Sequence, residues 1–369
     1  MLPGFSFARN LVLAHRSVTR MTPSSDWHLD FAHAIKQIHI RLRDTVLESC
    51  KDSDLEELSA VDGQFAGDTI YAIDRISESV LVAEFERLAD KHPLILVAEG
   101  LGNDGTALLG TNNPDDAQYQ VIVDPIDGTR GLMYQKRSAW ILTGVARNHG
   151  DSTNLSHIEV AVQTEIPTTK QHLCDCLWAT TLDDHAVGAR RDNLVTGESS
   201  SFTPQPSSAT TIAHGFGGLS RFFPGVRDIL AKIDDAVHLA ILGSGGPGEA
   251  LAFEDQYISS AGQLYELMVG HDRWIADVRP LVDHILTARG LSPGLCSHPY
   301  DLCTELIARR LGIIISDHTG QPLRAKLNVT DNVTWIGYAN KSIRDLVHPA
   351  LQRELRRIPD AGNNSSTDR

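Results

Sequence analysis

Val121-Ile122-Val123-Asp124-Pro125-Ile126-Asp127-Gly128-Thr129 is the stretch on which the fold turns. An apolar run leads into Asp124 as a buried strand would. Pro125 has no N–H to donate and is expected to stop the ladder. Gly128 permits a tight turn, with a short helix expected after it. Two carboxylates, Asp124 and Asp127, then converge at a strand end beside free backbone N–H groups. That combination suits a phosphate and its cations. Mg²⁺ takes oxygen ligands and commonly shares them with a phosphate, and the N–H groups of Gly128 and Thr129 can donate to phosphate oxygens as helix N-termini do. Taken alone, the same residues also read as an Asp/Pro/Gly turn that caps a helix.

Outward from this stretch, an apolar run ends in Val97-Ala98-Glu99. If it lies beside the Val121 strand, Glu99 faces the same cluster. Far downstream, His298-Pro299-Tyr300-Asp301 opens a helix, where an Asp serves as a cap or faces a site. Asp74 precedes a helix and allows the same two readings.

The spacing of Phe31, Ile35, Ile38, Leu42 and Val46 predicts a helix that starts near Ser25 or Asp26. A second helix is expected over Ser77–Lys91. Strands follow at Leu94–Glu99, Gln120–Asp124, Ala139–Arg147, Ile158–Ile166 and Leu173–Thr180, which makes an α+β lobe over residues 25–185. Residues 186–358 read as an α/β lobe. Its expected strands are Thr211–His214, Arg273–Val278, Ile313–Asp317 and Val333–Tyr338. Its expected helices are Pro224–Ile233, Tyr257–Val269, Tyr300–Leu311 and Ser342–Glu354. The polar segment Asp184–Pro206 marks the boundary.

With 369 residues, 41% of them hydrophobic, the chain exceeds the usual single-domain size and has ample core. Its formal net charge of −14 argues against a nucleic-acid surface. An acidic protein that handles phosphates needs local neutralisation, which bound divalent cations supply. The five cysteines are scattered without a CxxC pair, so a reducing cytoplasm is expected. No apolar run is long enough to span a membrane. Residues 1–24 carry Arg9, Arg16 and Arg20 and no acid, and read as a transit segment or as an extension ahead of a start at Met21. Residues 359–369 read as a disordered tail.

Two other phosphate chemistries fail on spacing. A haloacid-dehalogenase phosphatase needs Asp-x-Asp, and the Gly-rich run from Gly243 to Glu249 lacks the Gly-Lys-Ser/Thr ending of a P-loop.

The ordered set Asp74, Glu99, Asp124–Thr129 and Tyr300-Asp301, followed by Ile313–Asp317 and Gly320, resembles the inositol monophosphatase family. That family lies within the superfamily of magnesium-dependent, lithium-sensitive sugar phosphatases. The resemblance implies a layered αβαβα sandwich and a homodimer. It implies Mg²⁺-dependent hydrolysis of a phosphate monoester of a small polyol or sugar by a metal-activated water. Glu99, Asp124 and the carbonyl of Ile126 would hold one Mg²⁺, and Asp124, Asp127 and Asp301 a second, with a third and weaker ion near Glu99. Thr129, oriented by Asp74, would position or deprotonate the water, with Glu99 beside it. Gly128, Thr129 and Asp301 would contact the substrate. Alternatives are a bisphosphate or 3′-nucleotide phosphatase of the same superfamily, or a non-catalytic sugar-phosphate-binding protein. The chain departs from the family pattern at Gly100, where a second acid is usual, and at Tyr300, which replaces a Trp. It departs also at Leu302 and Cys303, and by an insertion between Asp277 and His298. Ser260, Asp272 and Arg273 are candidates to face substrate hydroxyls, against the alternative of a core helix with a polar exit.

Overall fold

The structure is a computed structural model that describes residues 27–52, 61–65, 68–101, 104–183 and 187–358. The expected segment 1–24, the helix cap at Ser25 or Asp26, and the tail 359–369 lie outside the described residues.

Helix α1 (Trp27–Asp52) forms where apolar side chains recur every three or four positions. Phe31, Ile35, Ile38, Leu42 and Val46 are buried along that stripe. A strand pair, β1 (Val61–Phe65) and β2 (Asp68–Tyr71), precedes helix α2 (Ala72–Ala89), which buries Leu81, Phe85 and Ala89. Both helices cover one face of an eight-stranded sheet. Its spatial order is β10 (Ser199–Ser201), β9 (Val187–Asn193), β8 (Leu173–Thr180), β7 (Ile158–Ile166), β6 (Ala139–Arg147), β5 (Tyr119–Asp127), β3 (Leu94–Ala98) and β4 (Thr106–Leu109).

Successive side chains of a strand alternate between faces. Val121 and Val123 of β5 therefore join the core under α1 and α2, while Ile122 joins a second core on the other side. That second core packs helices α5 (Ser260–Met268) and α7 (Glu305–Arg310) between the large sheet and a four-stranded one. The smaller sheet runs β11 (Phe216–Leu219), β12 (Asp272–Asp277), β14 (Trp335–Tyr338) and β13 (Ile314–Ser316). Helices α4 (Arg227–Leu242) and α8 (Lys341–Leu355) close its outer face through a third core. Short helices α3 (Thr129–Met133) and α6 (Asp283–Ala288) lie in the connections. The layers are thus α, β, α, β, α, as expected. Among the described residues no helix is long and apolar enough to cross a membrane.

Several expectations need correction. The large sheet continues past residue 185 through β9 and β10, so the anticipated lobe boundary falls between the paired strands β8 and β9. No strand forms at Thr211–His214. The Arg273 side chain takes the carbonyls of Thr211 and Ala213, and His214 has a positive φ of 56°. The strand lies later, at β11, where a Cβ on Gly217 would stand 2.5 Å from Trp274. The helix expected over Tyr300–Leu311 splits into a 3₁₀ turn, Tyr300–Leu302, and α7. Asp74 falls inside the first turn of α2 and does not precede a helix.

Candidate metal centre

β3 and β5 pair in parallel, with Ala98 opposite Val123, so the next residues along, Glu99 and Asp124, are neighbours at the strand ends. Pro125 does not end β5. The pairing with β6 runs from Asp124 opposite Leu142 to Asp127 opposite Trp140, with a bulge between. Residues three apart on a regular strand point to opposite faces. The extra residue of the bulge turns Asp127 back to the side of Asp124.

Asp301 arrives from the far end of the chain on the 3₁₀ turn Tyr300–Leu302. One carboxylate oxygen each of Asp124, Asp127 and Asp301 lies within 4.8 Å of the others. Glu99 lines the same cleft, along with Gly100, Ile126, Gly128 and Thr129.

Each of the three Asp residues is fixed through one oxygen. Asp124 Oδ1 accepts from the Ile126 N–H at 2.9 Å. Asp127 Oδ2 accepts from Ser259 Oγ at 2.9 Å and from the Ala261 N–H at 2.6 Å. Asp301 Oδ2 accepts from the His298 N–H at 2.5 Å. The second oxygen of each has no hydrogen-bond donor among the described residues.

Charge at the centre is under-compensated. Burial, and then the carboxylates of Asp127, Asp301 and Glu99, push the Asp124 carboxyl well above its usual range. Asp301 is pushed up in the same way, by burial and by Asp127 and Glu99. Burial raises Asp127 to about 6, opposed by its donors Ala261 and Ser259 and by Arg279. Buried carboxylates with one oxygen anchored and one uncommitted are hard ligands of the kind Mg²⁺ takes, so the donor set fits a divalent cation.

Gly128 has a φ of 94°, which favours glycine, and a Cβ there would crowd Ser259 Cβ at 3.1 Å. Thr129 opens α3, and its hydroxyl donates to the Ile126 carbonyl at 2.8 Å. Tyr300 lines the cleft and stacks on His298 with ring centroids 5.3 Å apart. Leu302 and Cys303 fill the core, where Cys303 packs against Gly144 of β6.

Ser260 lines the cleft and hydrogen-bonds Ser297 at 2.8 Å. Asp272 and Arg273 do not reach the cleft: Asp272 is buried at the start of β12, and Arg273 faces the 211–214 loop. Sequence reasoning missed Ser259, although it caps α5 by accepting from the Gly262 N–H, and a cap signal could have found it. It also missed the opposite wall. There Asp277 at the end of β12 binds Arg279 through Nε at 2.8 Å and Nη2 at 2.5 Å. The guanidinium lies 4.7 Å from the Phe222 ring and 5.5 Å from the Phe223 ring, and Arg130 lies 5.7 Å from Phe223. No local signal in the sequence joins these residues.

The fold is the one shared by solved structures of an inositol monophosphatase and of a fructose-1,6-bisphosphatase. Among solved structures, the holo form of Leishmania major fructose-1,6-bisphosphatase matches with a TM-score of 0.62 and 13% identity, over 89% of this chain and 95% of that one. The IMPase of Thermotoga maritima matches with a TM-score of 0.56 and 14% identity, over 90% and 99%. The extragenic suppressor protein suhB of Bartonella henselae matches with a TM-score of 0.57 and 14% identity, over 88% and 99%. At such identities the likeness is one of fold. The sequence matches no family model, and no curated protein shows significant similarity to it.

Proposed function

We propose that the chain is a Mg²⁺-dependent phosphatase that hydrolyses a phosphate monoester of a small polyol or sugar. The observation that carries this reading is the meeting of Asp124, Asp127 and Asp301 oxygens within 4.8 Å of one another. Glu99, Asp124 and the Ile126 carbonyl would hold one ion, and Asp124, Asp127 and Asp301 another, with Asp124 shared. A third ion near Glu99 would lack the second acid, since Gly100 stands there. When bound, Mg²⁺ supplies Lewis acidity toward the phosphate and an acidified water as nucleophile. The N–H groups of Gly128 and Thr129 orient the phosphate oxygens. The Thr129 hydroxyl would position the attacking water and relay its proton, a role in which the family resemblance pairs it with Asp74. We also propose that the chain works as a homodimer, which a mass measurement in solution checks.

A panel of phosphate esters, assayed with and without Mg²⁺ and with Li⁺ added, tests the reading. Turnover should need Mg²⁺ and stop in EDTA. Asp127→Asn keeps the shape and removes a charged ligand, so a loss of roughly 10²-fold or more in rate is expected. Full activity in that variant excludes the mechanism. Binding of sugar phosphates without turnover across the panel favours a non-catalytic protein.

The wall of Arg279, Phe222, Phe223 and Arg130 favours a second reading within the same chemistry. Guanidinium groups suit a second anionic group on the leaving alcohol, so bisphosphate esters belong in the panel beside neutral polyol phosphates.

A further inference from the structure

A second cavity lies beside α4 and shares no lining residue with the carboxylate cleft. At about 390 Å³ it has room for a small molecule. Asp234 lines it and is only 6% exposed. The Oδ1 atom of Asp234 accepts from the Leu219 N–H at 3.1 Å and lies 3.6 Å from His238 Nδ1. That ring nitrogen is already 3.0 Å from the Asp234 carbonyl oxygen. The Oδ2 atom of Asp234 has no hydrogen-bond donor among the described residues. Asp234 as a whole is buried, and Oδ2, which solvent reaches, is its uncommitted oxygen, where an opposite charge can meet it. Burial accordingly raises this carboxyl to about 6, although His238 and Arg221 pull it down.

The rest of the lining says what kind of charge fits. Asp235 and Glu254 add two more carboxylates, and Arg221, the cavity's one arginine, is paired with Glu254. Around them the walls are apolar. Leu239 is 55% exposed and Phe253 39%, with Leu242 and Leu251 beside them. Exposed large apolar side chains grouped around a buried, under-compensated carboxylate make a pocket with a polar anchor and an apolar body site.

We propose that this cavity is a second ligand site, taking a small organic cation whose ammonium meets Asp234 Oδ2 while a short apolar body lies against Leu239, Leu251 and Phe253. Its walls continue into the cleft. The chain runs from Gly217 and Arg221 to Phe222 and Phe223, and from Phe253 and Glu254 to Ile258 and Ser259. An occupant therefore touches the two segments that also shape the cleft.

Calorimetric titration of the full-length, Mg²⁺-loaded protein with benzylamine tests the site, with benzyl alcohol as the neutral counterpart. Benzylamine should bind once per chain, and benzyl alcohol about tenfold more weakly or worse, the size of one charge-assisted hydrogen bond. Asp234→Asn should weaken benzylamine by about the same factor. Leu239→Arg puts a like charge at the mouth of the cavity on an exposed position, and should weaken it too with the fold undisturbed. Mg²⁺ binding should be unchanged in both variants. No binding of benzylamine, equal binding of benzyl alcohol, or unchanged benzylamine affinity in Leu239→Arg overturns the proposal, whether or not Asp234→Asn folds.

Discussion

Asp127 divides its carboxylate between structure and site: Oδ2 is taken by Ser259 and the Ala261 N–H, and Oδ1 is left toward the cleft. Asp124 and Asp301 are divided in the same way. Such groups repel one another until a cation joins them, so Mg²⁺ should stabilise the folded chain. At a free concentration about 100-fold above its Kd the gain is about 2.7 kcal/mol. Thermal unfolding with and without Mg²⁺ should show that gain in the wild type and little of it in Asp301→Asn; an equal gain in both would remove Asp301 from the centre. The local part of this site is legible in the sequence, because Asp124, Asp127 and Gly128 act through a turn that they themselves form. Ser259 and Arg279 were not legible as site residues. Their roles exist only once α5 and the end of β12 close over β5.

At the scale of elements, the apolar strands of the large sheet could be read with nearly their observed ends, since burial on both faces demands continuous β-branched and apolar runs. The polar strands β9 and β10 at the sheet edge carry no such pattern. The bulge between Asp124 and Asp127 was also hidden: Pro125 signals a break in pairing, and only the register with Leu142 and Trp140 shows that β5 resumes. β11 escaped notice because its middle is Gly217-Gly218, which gives no side-chain periodicity. Gly217 has a packing reason, as a Cβ there would run into Trp274 of β12. Gly217→Ala should therefore force β11 away from Trp274 and destabilise the protein by about 1–3 kcal/mol. Urea unfolding measures this, and an unchanged midpoint would mean that the contact relaxes freely.

Across the whole molecule, the outer helix layer is keyed to the large sheet by a buried polar joint. His39 of α1 bonds Thr143 of β6 at 2.8 Å and Thr164 of β7 at 2.9 Å. Burial lowers its pKa from 6.5 to about 3. Below 6.5 the unfolded chain takes up a proton that the folded chain refuses until about 3. The stability from this group is therefore complete above that upper value and is lost as pH falls. From about pH 7 to about pH 5 the wild type should lose about 2 kcal/mol relative to His39→Gln. A difference that stays flat over that range would place a charged histidine in the joint. The five layers, unlike the boundary between lobes, could be anticipated from the resemblance, even though overall identity to matched structures is 13 or 14%. The most direct test of the whole reading is anomalous diffraction from crystals soaked in Mn²⁺, which takes Mg²⁺-type oxygen sites. A peak about 2.0–2.3 Å from oxygens of Asp124, Asp127 and Asp301 together is expected. A peak that Asp301 does not reach, or none in the cleft at all, would contradict it.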